Sequence, residues 1–402
     1  MLEKFIALIL GLFGIVTVSV QYMLPKSSPT LEIPAIVKEE TELGEIIAVN
    51  LKSDTSTSSI PQSSFPTPKI KEKPVEKKPE TQNPPAKPQE AVVSERASVS
   101  ITATTTTEVS PSPLPIDFEA INQKVRRAVV NIFCTSNASG ISQLLSGSGV
   151  LIDSRGIILT NAHIAQYFLI QNYRQKDFIN CVARTGSPAI RTYTLKLLYI
   201  SPRWVKANYK EITNQKPIGT GENDFALLQI ASSTNPDVKL PPLFPAMPID
   251  GNDENVQTGI PVVLVAYPAG FLNGISIVRD LYLVSTLVNV KERYTFENGT
   301  LDVFSLGGSP VAQHGSSGGA VASGEGKLLG MVVTSTDAVS TDERNLDAIS
   351  VAHINRSLSI ETDFTLDSLL ASDIGPFSQS FDEKVLPSLR KLLEDELDSK
   401  NL

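Results

Sequence analysis

Apolar residues are spread unevenly along this chain. From Phe5 to Val20 sixteen residues pass without a charge, and counting on to Leu24 gives a span of twenty. That is about the length that crosses the hydrocarbon core of a bilayer as a helix. From Leu24 to Pro115 large apolar runs disappear and Pro, Lys, Glu, Ser and Thr take over. Beyond that point short apolar or alternating runs return at 129–133 (VVNIF), 193–200, 262–265 and 281–290, bounded by turn residues, and these predict strands. Residues 164–171 read as a helical turn, and the apolar spacing of 385–397 (VLPSLRKLLEDEL) as an amphipathic helix. The core-forming sequence therefore lies between about Ile116 and Ile360, enough for a sizeable double core.

The chain divides into four parts: a transmembrane anchor or signal at 1–24, a disordered linker at 25–115, an all-β body at 116–360 and a helical tail at 361–402. A cleaved signal would want small residues at its end, and Thr17, Ser19 and Val20 match that poorly, so an uncleaved anchor is the reading taken. Roughly half of the 27 prolines fall in the linker. Its composition cannot bury enough apolar surface to offset the entropy of ordering, and proline keeps it extended, with a reach of well over ~100 Å. These features place the body outside the cytoplasm, in a cell envelope or periplasm.

The net charge of −8 argues against a nucleic-acid partner, which needs a concentrated basic face. The densest basic stretch, 69–78 (KIKEKPVEKK), is interleaved with Glu and Pro and reads as a solvated linker. Two cysteines, Cys134 and Cys181, lack the short spacing of a metal or redox pair. They permit one disulfide in an exported protein, with two buried thiols as the other possibility. No metal or cofactor is implied.

Three short segments carry candidate chemistry. In 146–153 (SGSGVLID) and 156–163 (GIILTNAH), Val150, Ile152, Ile157 and Leu159 form strands around a turn at 153–156, and His163 comes directly after. An exposed imidazole there can take a proton near neutral pH. In 222–230 (ENDFALLQI), Asp224 enters a continuous apolar run. A buried carboxylate needs a partner, and a histidine N–H is a fitting one. In 315–321 (GSSGGAV), Ser317 stands among Gly315, Gly318 and Gly319. Such a turn can aim the N–H groups of Gly315 and Ser317 at one spot, where a developing oxyanion would sit.

Together, in the order His, Asp, Ser, these segments resemble the trypsin-like serine proteases, most closely the HtrA (Deg) type. The resemblance rests on 147–150, 160–163, 224–228 and 315–319, and on 328–335 (LLGMVVTS), which is similar to the strand lining the specificity pocket. It spans about 125–354. It implies a chymotrypsin-like fold of two six-stranded antiparallel barrels, near 125–230 and 256–354, with the cleft between them. It implies His163, Asp224 and Ser317 as the catalytic triad and Gly315 and Ser317 as the oxyanion hole. Protein or peptide substrates would lie against Val332, Val333, Thr334 and Ser335 by strand addition.

The departures from the family are specific. No PDZ-like domain is expected after Arg356. Ser316 stands where digestive members carry the Asp that pairs with a new amino terminus. Val311 stands where trypsin-like members carry an Asp selecting Lys or Arg, so a small or apolar P1 residue is expected. His314, beside the nucleophile loop, is read as an ordinary residue with a substrate contact as the alternative, and His353 is expected to be structural in the last strand region. The competing readings are a protease-like binding module that no longer cuts and an envelope scaffold working through its tether.

Overall fold

Strands buried on both faces and close turns build the first half. The computed structural model describes residues 115–136, 144–214, 220–296, 299–335 and 344–400. The expected membrane span and the linker up to residue 114 lie outside the described residues, and no helix among the described residues is long and apolar enough to cross a membrane. The first element is a helix, α1 (Phe118–Ala128), absent from the sequence expectations. Asp117 caps it by accepting from the Ala120 N–H, while Arg126 and Arg127 sit in its last turn, where the helix dipole favours cations.

Six strands come next: β1 (Val129–Ser136), β2 (Leu144–Asp153), β3 (Ile157–Thr160), β4 (Ile179–Thr185), β5 (Ile190–Ile200) and β6 (Ala226–Ser233). Two short helices interrupt them, α2 (Ala162–Ala165) after β3 and α3 (Pro202–Asn208) after β5. The strands close into an antiparallel barrel in the order β1-β2-β3-β6-β5-β4. Closure removes strand edges and encloses an apolar interior in which Ile132, Ile158 and Leu228, on one face by register, are fully buried. The β2–β3 turn needs Gly156, whose φ of +83° is left-handed.

Cys134 and Cys181 oppose one another across the β1–β4 pair and are joined as a disulfide. The cross-link closes a loop of 47 residues, a size at which restricting the unfolded chain is worth about 3–4 kcal/mol. Replacing both cysteines with Ala is therefore expected to lower the melting temperature by about 10 °C. Calorimetry of the double variant checks this, and an unchanged melting temperature would refute it.

The second half departs from expectation. In place of a closed six-stranded barrel it holds a seven-stranded sheet of β7 (Pro261–Ala266), β8 (Val284–Asn289), β9 (Glu292–Tyr294), β10 (Val303–Gly307), β11 (Ala320–Ala322), β12 (Leu328–Ser335) and β13 (Leu346–Ser350). A short helix, α4 (Gly274–Arg279), lies between β7 and β8. The sheet order is β8-β7-β11-β12-β13-β10-β9. The cause lies at Val290 and Lys291. The Val290 N–H donates to Ile260 O beside β7, whereas the next N–H, of Lys291, donates to Ser305 O in β10. The chain crosses from one sheet edge to the other between adjacent residues, so covalent continuity rather than a ladder joins the two edges.

Four helices end the described chain: α5 (Val351–Thr362), α6 (Leu366–Ala371), α7 (Ile374–Lys384) and α8 (Leu386–Ser399). His353 thus lies on a helix and not in a last strand, because Ser350 caps α5 by accepting from the His353 N–H and ends β13 there. The predicted tail helix is α8, which buries Leu389, Leu393 and Leu397. The two ends of the body cross over. Helix α1 leaves the first barrel's side and reaches the second sheet, where Arg126 donates to Leu283 O and Ser285 Oγ, both at 3.1 Å. Helices α7 and α8 return to the first barrel. Phe381 and Phe377 pack on Tyr199 of β5, Arg390 donates to Leu169 O and the Tyr173 hydroxyl donates to Asp398.

Candidate active site

The strand pairing of β3 with β6 sets Thr160 opposite Ala226, and this brings the residues just beyond β3 to those just before β6. Asn161 Nδ2 donates to Asp224 O at 2.9 Å. Helix α2 then turns His163 back over the carboxylate. Asp224 Oδ1 accepts the His163 backbone N–H at 2.9 Å and Oδ2 lies 2.7 Å from Nδ1. Asp224 is 4% exposed, whereas the His163 side chain is 31% exposed. A buried carboxylate with two N–H partners fixes the ring and its tautomer, with the proton on Nδ1 and the lone pair on Nε2. The approach to Asp224 is a tight turn with Gly221 (φ +81°) and Asn223 (φ +58°) in the left-handed region. Asn223 is held by the Ser357 hydroxyl of α5.

The glycine loop is fastened to the same wall. The Ser148 N–H donates to Ser317 O at 2.7 Å, and Ser148 Oγ donates to Gly315 O at 2.8 Å while accepting the Tyr267 N–H at 3.0 Å. Thr160 Oγ1 donates to Ser148 O at 2.8 Å. The loop carrying Ser317 therefore rests on Ser148 and Thr160, three residues before His163. A Cβ on Gly318 (φ +84°) would meet Ser148 O at 1.9 Å and Thr160 Oγ1 at 2.9 Å.

Within the loop the N–H groups of Ser316, Gly318 and Gly319 donate to Gln313 O, Val332 O and Ser316 O. Those of Gly315 and Ser317 make no hydrogen bond among the described residues. They are the two groups expected to meet an oxyanion. Ser317 itself is half-buried, and among the described residues its hydroxyl makes no hydrogen bond to His163. Such bonds are often long without substrate and tighten in the complex.

Residues 147–331 match the family model described as a trypsin-like peptidase domain. This segment is similar to trypsin-like peptidase domains. It contains His163, Asp224 and Ser317. Among solved structures, the active form of the Rv3671c protease from M. tuberculosis matches at 19% identity with a TM-score of 0.37, covering 62% of this chain and 87% of that one. No curated protein matches significantly.

The structure treats the remaining expected residues unequally. Val332 is not available for strand addition: its N–H donates to Gly319 O and its carbonyl accepts from Gly318, each at 2.9 Å, while β13 pairs along its other side. The β11–β12 pairing ends at Met331, so any open edge of β12 begins at Val333. Val333 is buried and lies against Gly221. Val311 is fully buried in the second sheet's apolar cluster, and its carbonyl accepts from the Ser316 hydroxyl. His314 is exposed, and its carbonyl accepts from the Ala269 N–H at 2.7 Å.

His353 forms a second histidine–carboxylate pair, with Asp302 at 2.7 Å, and Arg356 joins it at 2.9 Å. Burial would raise the Asp302 pKa, but the hydrogen bonds from His353 and Arg356 outweigh it and hold the group at about 2. This pair ties α5 to the residue just before β10.

Sequence reasoning missed Ser148. Its signal was present in the Ser-Gly-Ser-Gly run, where flanking glycines allow the backbone of the serine to approach the loop. Gly318→Ala is expected to cost at least about 3 kcal/mol from backbone strain and overlap. The melting temperature would fall by roughly 6–12 °C. A Gly318→Ala protein that melts with the wild type would show that the contact can relax.

Proposed function

We propose that this chain is a serine endopeptidase whose domain is carried outside the cytoplasm on the N-terminal anchor. The observation that carries the reading is the double acceptance by Asp224 of the His163 backbone N–H and the region of Nδ1, on the same wall that holds the Ser317 loop. In this reading Ser317 Oγ attacks a peptide carbonyl and His163 Nε2 takes its proton. Asp224 steadies the imidazolium, and the two unengaged N–H groups of Gly315 and Ser317 receive the negative oxygen. His163 then protonates the leaving amine, and water activated by the same ring releases the acyl group. Substrate would pair with β12 from Val333 onward, and with Val at position 311 no carboxylate there would select a basic P1 side chain. The Cys134–Cys181 disulfide supports an oxidising compartment, where such bonds persist.

The test is a fluorophosphonate probe on the full chain, followed by peptide mapping. Modification confined to Ser317 is expected. A folded protein that stays unlabelled would favour a binding module that no longer cuts. The anchor is tested separately by alkaline carbonate extraction of membranes, where a chain found wholly in the soluble fraction would remove the tethered reading.

A further inference from the structure

Arg184 is buried without a counter-ion among the described residues. It is 2% exposed, lies on β4 opposite the fully buried Asn131 of β1, and forms no ion pair among the described residues. Its guanidinium sits over the Phe133 ring at 4.1 Å. Burial, with a smaller push from Arg191, lowers its pKa to about 10. A charge kept at that cost calls for an explanation, because an apolar side chain of similar size would fill the space more cheaply.

Its hydrogen bonds run in two directions. Nε donates to Asn131 Oδ1 at 2.7 Å, and Asn131 Nδ2 donates onward to Gly147 O at 2.6 Å and Ser146 Oγ at 2.9 Å. Gly147 is the neighbour of Ser148, which grips Gly315 O and Ser317 O. In the other direction Nη1 donates to Ile277 O at 2.8 Å and Val278 O at 3.2 Å, the last turn of α4. A cation suits these helix-end carbonyls. The chain leading into α4 touches the same loop. Ala269 donates to His314 O, and Tyr267 O and Ala269 lie within about 3 Å of where a Cβ on Gly315 would stand. One guanidinium thus joins the β2 rim to α4, and the Gly315–Ser317 loop touches both β2 and the chain leading into α4.

We propose that Arg184 is a positioning residue for the oxyanion-binding loop, setting the N–H groups of Gly315 and Ser317 through Asn131 on one side and α4 on the other. This rests on the serine endopeptidase reading. Arg184 touches neither substrate nor the reacting atoms. Its loss shifts the loop by a fraction of an ångström to an ångström, and misplacement on that scale costs on the order of 10²-fold in rate.

The experiment compares wild type, Arg184→Met, Arg184→Lys and Asn131→Ala as full chains, by kcat and KM on one peptide substrate, rate of fluorophosphonate labelling and melting temperature. Arg184→Met is expected to lose on the order of 10²-fold in kcat per folded molecule with KM within about threefold. Arg184→Lys keeps the charge but reaches only one side, and is expected to fall between. Arg184→Met and Asn131→Ala combined should lose less than the product of their separate losses, since they interrupt one chain of contacts. Folded variants that turn over at the wild-type rate, or Arg184 variants that both fail to fold, would assign Arg184 to stability alone and overturn the proposal. A wild type that neither labels nor cuts would sink the endopeptidase reading and this proposal with it, an outcome separable from active wild type with equally active variants.

Discussion

Ser317→Ala is expected to abolish fluorophosphonate labelling and reduce kcat on the order of 10⁴- to 10⁶-fold, with KM nearly unchanged. The substitution removes one oxygen from a half-buried side chain that has no hydrogen bond among the described residues, so little stability rides on it. The loop keeps its fastening, because Ser317 is held through its backbone carbonyl by Ser148. The melting temperature should therefore stay within a degree or two of wild type, and the loss should fall on the chemical step. A Ser317→Ala protein that still cleaves peptides at a tenth of the wild-type rate would transfer the nucleophile's role elsewhere.

Asp224→Asn is expected to lower kcat by about 10⁴-fold with the fold intact. The carboxylate accepts two N–H groups from His163, one from the backbone and one from the ring. An amide has one oxygen and one NH₂, so it cannot accept both. Keeping its oxygen on the backbone N–H sets the NH₂ against Nδ1, which must then become an acceptor. The ring proton moves to Nε2 and the lone pair that Ser317 needs is lost. Steady-state kinetics on Asp224→Asn and Asp224→Glu would check this. A wild-type kcat in the Asn variant would mean that ring orientation does not depend on this carboxylate.

Much of the candidate site was legible in the sequence because it depends on local chemistry. A left-handed turn needs glycine, a buried carboxylate needs a partner, and short apolar runs mark the strands from which His163 and Asp224 emerge. The register of β3 against β6 that joins them is a tertiary fact, but the runs 157–160 and 225–228 announced both strands. What escaped was set by distant contacts. Helix α1 buries Val125 and Ala128, but its capping by Asp117 and the reach of Arg126 to Leu283 and Ser285 are contacts that no local run announces. Helix α5 was hidden because 346–354 reads as a continuing apolar run, and only the Ser350 cap divides it. The open second sheet turns on two adjacent N–H groups, of Val290 and Lys291, choosing different partners. The false expectation for Val332 has the same origin, since nothing local shows that Gly318 and Gly319 already occupy its backbone. Arg184 gave no signal in a strand whose other residues are ordinary.

The exchange of chain ends between the halves makes each a clasp for the other. Helix α1 precedes the first barrel yet grips the second sheet, while α7 and α8 come after the second sheet yet wall the first barrel. A nick anywhere in the connection 234–260 would leave two fragments still interlocked, each holding a piece its companion requires. Neither fragment made alone would be finished, and heating the intact molecule should melt both halves in one step.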